Sequence, residues 1–126
     1  MKLLIVDDSF VVRQVIERQA LGSELEQVLQ AADGLEAVRL FEQYRPSIVT
    51  MDLTMPNLDG LECIGQLKAI EPNTSILVIS ALNSHETAME AIARGACGFL
   101  TKPFAQLELE EALQELLLHA QKNQAI

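Results

Sequence analysis

Three carboxylates and one ammonium stand out because each directly follows an apolar, strand-like run. Leu3-Leu4-Ile5-Val6 ends in Asp7-Asp8, Ser47-Ile48-Val49-Thr50-Met51 ends in Asp52, and Phe99-Leu100-Thr101 ends in Lys102. A fourth run closes on Ser80. Acids held close together repel one another, and either protonate or take up a cation. An oxygen-only donor set favours Mg²⁺, with Mn²⁺ as a substitute. Mg²⁺ takes few protein ligands and completes its shell with water and phosphate oxygens. Such a site is half-made until a phosphoryl donor arrives. The chemistry on offer is attack of an Asp52 carboxylate oxygen on phosphorus, with the cation on one side and Lys102 on the other offsetting charge. Ser80 offers a hydrogen bond to a phosphoryl oxygen.

These groups meet only if the strands that carry them lie side by side and point the same way. The chain alternates apolar runs with helix-period segments, which predicts an α/β domain with a five-stranded parallel sheet. Strands are expected at Leu3–Val6, Gln27–Ala31, Ser47–Met51, Ser75–Ser80 and Cys97–Thr101, with Ser75–Ser80, the most apolar, at the centre. Helices are expected over Ser9–Leu21 (stopped by Gly22), from Leu35 to Tyr44, over Leu58–Ile70, over Asn83–Arg94 (stopped by Gly95), and from Ala105 to about Gln121. Asp33-Gly34 reads as a turn, and Pro46 and Pro72 as breaks. Right-handed crossovers put helices on both faces, a doubly wound arrangement. Ligands of such sheets bind beyond the carboxyl ends of the strands. Asp7, Asp8, Asp52, Ser80 and Lys102 all fall there.

At 126 residues the chain is expected to form one domain, 1–121, followed by a polar tail, 122–126. Trp is absent and aromatics are 4 %, so the core must be aliphatic. A net charge of −9 argues against a nucleic-acid surface and against anionic membranes. No apolar run approaches the ~20 residues of a membrane span. Asp7-Asp8 also cuts the N-terminal apolar run too short for a signal peptide. Cys63 and Cys97 lie far apart with no CxxC or histidine partner, and read as two reduced thiols of a cytoplasmic protein.

The Asp7-Asp8 pair, the strand end at Asp52, the loop Met55-Pro56-Asn57-Leu58-Asp59-Gly60, the Ser80-Ala81 pair and Lys102-Pro103-Phe104 together resemble the receiver domain of two-component response regulators. The resemblance runs from about Lys2 to Leu117 with matching order and spacing. It implies the flavodoxin-like (βα)5 fold with strand order 2-1-3-4-5. It implies that Asp52 is the phosphoacceptor, with a histidine kinase or phosphotransfer protein as donor. Asp8, Asp52 and the backbone carbonyl of Thr54 are implied as Mg²⁺ ligands, with Asp7 holding a metal-bound water. Lys102 is implied as the phosphoryl-binding lysine, preceding a cis bond to Pro103. Ser80 is implied as the switch hydroxyl and Phe99 as the switch aromatic; on its own, Phe99 reads equally well as core.

A phosphoryl group adds about −1.5 to −2 charge, enough to draw Ser80 inward and let Phe99 turn into the space behind it. The surface of the fourth helix, fifth strand and fifth helix would then change and control an output protein or domain. The fourth helix shows a thin apolar stripe of Ala88, Met89, Ile92 and Ala93, which marks it as weakly anchored. Leu107 and Leu118 lie off the core stripe of the fifth helix, either as scattered surface leucines or as a partner contact that leaves the chain a monomer or weak homodimer. His85 and His119 read as surface residues, His119 near a helix C-terminus. Two other readings compete. One is a receiver belonging to a larger regulator, such as a DNA-binding one; the chain's end after the last helix favours a receiver acting alone. The other is a phosphatase turning over through an aspartyl phosphate, but Asp52-Leu53-Thr54 lacks the second acid of that class.

Overall fold

The computed structural model describes residues 1–21 and 25–124. Gly22, expected as a helix stop, lies outside them. The elements are β1 (Lys2–Val6), α1 (Phe10–Ala20), β2 (Gln27–Ala31), α2 (Gly34–Tyr44), β3 (Ile48–Met51), α3 (Gly60–Ile70), β4 (Ser75–Ser80), α4 (His85–Ala93), β5 (Gly98–Thr101) and α5 (Gln106–Gln124). All strand pairs are parallel, in the order β2-β1-β3-β4-β5. β3, not β4, is therefore the middle strand, although all six residues of β4 are buried. Being paired on both sides and covered on both faces makes a strand apolar, and β1, β3 and β4 all meet that condition.

Each strand's side chains alternate between two cores. Leu4, Val6, Val49, Met51, Ile76 and Val78 pack against Phe41 of α2, Ile64 and Leu67 of α3, and Ala91 of α4. Leu3, Ile5, Ile48, Leu77, Ile79 and Leu100 pack against Ile16 and Ala20 of α1 and Leu109, Leu113, Leu116 and Ala120 of α5. Thr50 is buried on β3, with no partner for its hydroxyl among the described residues. A buried hydroxyl without a hydrogen bond costs roughly 1–3 kcal/mol. Thr50→Val, which keeps the β-branched shape, is expected to raise the midpoint of thermal unfolding by a few degrees, about 1 kcal/mol.

Helix starts follow their caps more closely than their apolar periods. Ser9, Asp33, Asp59 and Ser84 each accept a hydrogen bond from the backbone N–H three residues on. Asp33 is thus the cap of α2 rather than a free turn. The cap of α3 is Asp59, so the helix starts at Gly60, two residues past the apolar start expected at Leu58. α5 also differs from expectation. It runs to Gln124, so the polar tail expected from Lys122 is helical for three residues, while 125–126 lie outside the described part. Asn123 Nδ2 donates to Asn73 O at 3.4 Å and Ser75 Oγ at 3.3 Å, which ties this last turn to the start of β4. His119 is accordingly not in the last turn; its Nδ1 lies 2.8 Å from the buried Ser75 hydroxyl.

α4 is attached as weakly as its sequence suggests, but by other residues. Its one fully buried side chain is Ala91, whereas Met89 and Ile92 are 54 % and 51 % exposed. Leu107 and Leu118 face solvent as well. Both thiols are free, and burial pushes the Cys63 thiol up to about 12. No helix among the described residues is long and apolar enough to cross a membrane.

Candidate functional site

In-register parallel pairing aligns the carboxyl ends of the strands. Val6 is opposite Met51, so the next residues, Asp7 and Asp52, emerge side by side. Ser80 is opposite Thr101, so Lys102 emerges beside them. Backbone bonds continue the ladder one step further, from Asp7 N–H to Ala31 O (3.1 Å), Asp52 N–H to Val6 O (2.9 Å) and Lys102 N–H to Ser80 O (2.9 Å). The peptide between Lys102 and Pro103 is cis.

The structure brings Asp7, Asp8 and Asp52 together, with one oxygen of each within 4.8 Å of the others. Asp7 and Asp52 are buried and Asp8 is exposed. Lys102 Nζ donates to Asp7 Oδ2 at 2.7 Å and stands 3.7 Å from Asp52 Oδ2. Asp7 Oδ1 accepts from Ser9 N–H at 2.9 Å, and Asp52 Oδ1 from Thr54 N–H at 3.4 Å. The Thr54 carbonyl accepts no hydrogen bond among the described residues. Ser80, fully buried, uses its Oγ to accept from Leu82 N–H at 3.2 Å and bonds to none of the acids. Phe99 is half-buried on β5 at the edge of the α2–α3–α4 core.

Burial raises the pKa of Asp52, the negative charge of Asp7 raises it further, and Lys102 and the Thr54 amide only partly oppose them. The cluster is thus short of positive charge, and its donors are all hard oxygens, which fits a divalent cation of the Mg²⁺ type. A raised folded-state pKa means that the native state binds more protons than the unfolded chain. The ionised Asp52 therefore costs stability at pH above its folded pKa, and the cost is relieved as pH falls toward the ordinary value of 3.8. Without divalent cation at pH 7.5, Asp52→Asn is expected to unfold several degrees higher than wild type, about 1 kcal/mol. The gain should vanish on acidification; a constant gain across pH would assign it to something other than charge.

Sequence reasoning missed one brace. Arg13 donates from Nη1 to Asp7 O at 2.7 Å and from Nε to Gln30 Oε1 at 2.9 Å, with its guanidinium 5.7 Å from the Phe10 ring centre. It ties α1 to the ends of β1 and β2 just where Asp7 emerges. Its position on the first turns of α1 was visible, but a lone arginine among valines carries no signal of such a contact.

A doubly wound flavodoxin-like sheet with an acid cluster and a lysine at its carboxyl edge defines the class. The sequence profile of the response regulator receiver domain matches residues 3–114, and the chain belongs to that family. It is 40 % identical over 115 residues to the chemotaxis protein CheY of Listeria monocytogenes, covering 91 % of this chain and 97 % of that protein. It is 31 % identical to the sporulation initiation phosphotransferase F of Bacillus subtilis, covering 92 % and 93 %. Among solved structures it resembles a chain of the CheX-CheY-BeF3-Mg complex from Borrelia burgdorferi (TM-score 0.87, 28 % identity, 93 % of this chain and 89 % of that one). Vibrio cholerae CheY4 is also similar (TM-score 0.83, 32 % identity, 91 % and 97 %). Receiver domains bind Mg²⁺ at an acidic pocket, and this chain carries the acidic group of Asp7, Asp8 and Asp52 at the carboxyl edge of its sheet.

Proposed function

We propose that this chain is a phosphorylatable signalling receiver that stores a phosphoryl group on Asp52. The observation that carries the reading is the juxtaposition of a buried Asp52 carboxylate with Lys102 Nζ at 3.7 Å and with two further acids. An Asp52 oxygen attacks phosphorus of a phosphohistidine on a histidine kinase or phosphotransfer protein. The P–N bond breaks, the imidazole leaves and takes a proton, and an acyl phosphate remains. Asp8, Asp52 and the Thr54 carbonyl are the proposed cation ligands, with Asp7 acting through a water. When bound, Mg²⁺ neutralises charge on the transferring phosphoryl oxygens. Lys102, already paired with Asp7, has only to reach from the acids toward the phosphoryl oxygens. No second acid follows Asp52 at the spacing of a phosphatase, so the group stays until hydrolysed rather than passing through a catalytic cycle.

Phosphorylation offers the Ser80 hydroxyl a charged group to donate to, and turning toward it exchanges the present contact, in which Oγ accepts from Leu82 N–H, for a bond to the phosphoryl group. That exchange moves the connection into α4, the helix with one buried side chain. Met89 and Ile92 already present apolar surface on α4, and Phe99 is half-buried on β5. A small population shift among these elements is enough to alter a surface for an output protein or a linked output domain. The proposed receiver spans 1–121 and acts in the cytoplasm, as a monomer or weak homodimer. Mg²⁺-dependent labelling by a small phosphodonor tests the reading, and equal labelling of wild type and Asp52→Asn overturns it.

Leu82, 48 % exposed beside the site, has no polar atom with which to orient a hydrolytic water. Replacing it with Glu is expected to shorten the lifetime of the phosphorylated form about tenfold, since even imperfect general-base or orienting help accelerates hydrolysis. The rate of phosphate release from purified labelled protein measures this. An unchanged lifetime would mean that Leu82 does not govern water at phosphorus.

A further inference from the structure

We propose that Asp33 and Asn57 form a latch that positions the cation site, acting on it through the loop after β3. The proposal rests on the cation reading above and adds to it two residues that touch none of the proposed ligands.

The loop from Leu53 to Asp59 links Asp52 to α3. Its base is closed by Gly60 N–H donating to Leu53 O at 3.0 Å. At its tip, Leu58 N–H donates to Pro56 O at 2.9 Å, so three residues make a turn with Asn57 at the centre. Asn57 has a φ of 72°. An i to i+2 bond around a central residue of positive φ is the rare and strained form of the γ-turn. Such strain persists only where the surroundings hold it. Here the holder comes from a different element. Asn57 Nδ2 donates to Asp33 Oδ2 at 3.0 Å, while Asp33 Oδ1 accepts from Glu36 N–H at 2.9 Å and caps α2. One carboxylate therefore joins the start of α2 to the tip of the loop. The next residue, Gly34, lets the two backbones touch, for a Cβ there would stand 2.4 Å from Leu58 O.

Thr54 lies in the same loop, with its amide on Asp52 and its carbonyl free of hydrogen bonds among the described residues. With the latch made, the Pro56–Leu58 turn keeps its φ and the chain before it has one course. With the latch broken, Asn57 relaxes toward an ordinary φ and the Thr54 carbonyl loses its fixed direction. Asp33 and Asn57 are thus positioning residues.

Titration of MgCl₂ into the full chain by isothermal calorimetry tests the latch, with wild type, Asp33→Ser, Asn57→Gly and the double variant. Serine keeps a capping oxygen for α2 but has none left for Asn57. Glycine removes the amide and adds no steric clash, and because it adopts positive and negative φ alike, nothing then holds the turn at its present φ. Each single variant is expected to bind Mg²⁺ about tenfold more weakly, the lower end of losses on removing an outer-shell partner. The double variant should be no weaker than either single one, because both break the same contact. Single variants within twofold of wild type, or additive losses in the double, overturn the latch. Absence of Mg²⁺ binding by wild type overturns the cation reading itself, and the latch with it. Circular dichroism verifies folding; if Asp33→Ser does not fold, Asn57→Gly alone decides.

Discussion

Asp52→Asn is expected to take up no phosphoryl group from a small phosphodonor under conditions in which the wild type labels, a loss of at least about a thousandfold in rate. The amide matches the carboxylate in size and keeps a carbonyl oxygen for the Thr54 amide, so the site geometry survives. What disappears is the proposed nucleophile, because an amide oxygen has neither the charge nor the nucleophilicity of a carboxylate. Two neighbours are the obvious substitutes. Asp7 is buried and already donated to by Lys102 at 2.7 Å and by the Ser9 amide at 2.9 Å, so attack would break both bonds. Asp8 is exposed, but among the described residues it has no lysine partner, since the ion pairs of Lys102 are with Asp7 and Asp52. Phosphate bound to Asp8 in the variant, located by mass spectrometry after borohydride trapping, would sink the assignment. Loss of labelling alone is not enough. The same protein must still unfold cooperatively, and at a higher temperature than wild type at neutral pH without divalent cation, as the raised pKa of Asp52 requires.

Gly60→Ala is expected to destabilise the fold by about 3 kcal/mol, lowering the unfolding midpoint by roughly 10 °C. A Cβ at this position would lie 2.3 Å from Asp52 O and 2.6 Å from Leu53 Cα. Both are backbone atoms in buried residues, so no side-chain rotation relieves the clash, and either α3 or the Asp52 peptide must move. The same displacement should slow phosphoryl uptake, because Asp52 is the proposed nucleophile. Gly65, five residues further along α3, provides the control. Outside its own helix backbone, no atom of the described residues lies nearer than Arg94 Nη1 at 3.9 Å from a Cβ placed there. Gly65→Ala is therefore expected to stabilise the protein by about 0.5–1 kcal/mol, the usual gain of alanine over glycine inside a helix. Equal unfolding temperatures for the two variants would show that the close approach of Gly60 to Asp52 is not a constraint.

The strands and the strand-end acids were legible because they are local signals. An apolar run that stops at a carboxylate says where a strand ends, whatever it pairs with. Helix ends were less so: Leu58 begins the apolar period, yet Asp59 caps the helix, because a side-chain oxygen that can satisfy a free N–H outranks the start of an apolar stripe. The α4 stripe failed for a related reason. Met89 and Ile92 fit a helical period with Ala88, but α4 meets the sheet through small residues, and Ala91 is what the close approach admits. The extension of α5 to Gln124 depended on Asn73 and Ser75, some fifty positions away, receiving Asn123.

By itself the sequence determined the order of elements and the set of groups at the carboxyl edge, since apolar runs, caps and breaks act over a few residues. Only the tertiary structure decided how those groups share their charge and bonds. Lys102 binds Asp7 more closely than Asp52, Ser80 is occupied by Leu82, Arg13 braces Asp7, and Asp33 holds Asn57. Lys102 and Asp7 are 95 positions apart. A hydrogen bond is made or lost over a few tenths of an ångström, and at such separations that distance is set by the register of the sheet and the packing of helices on it.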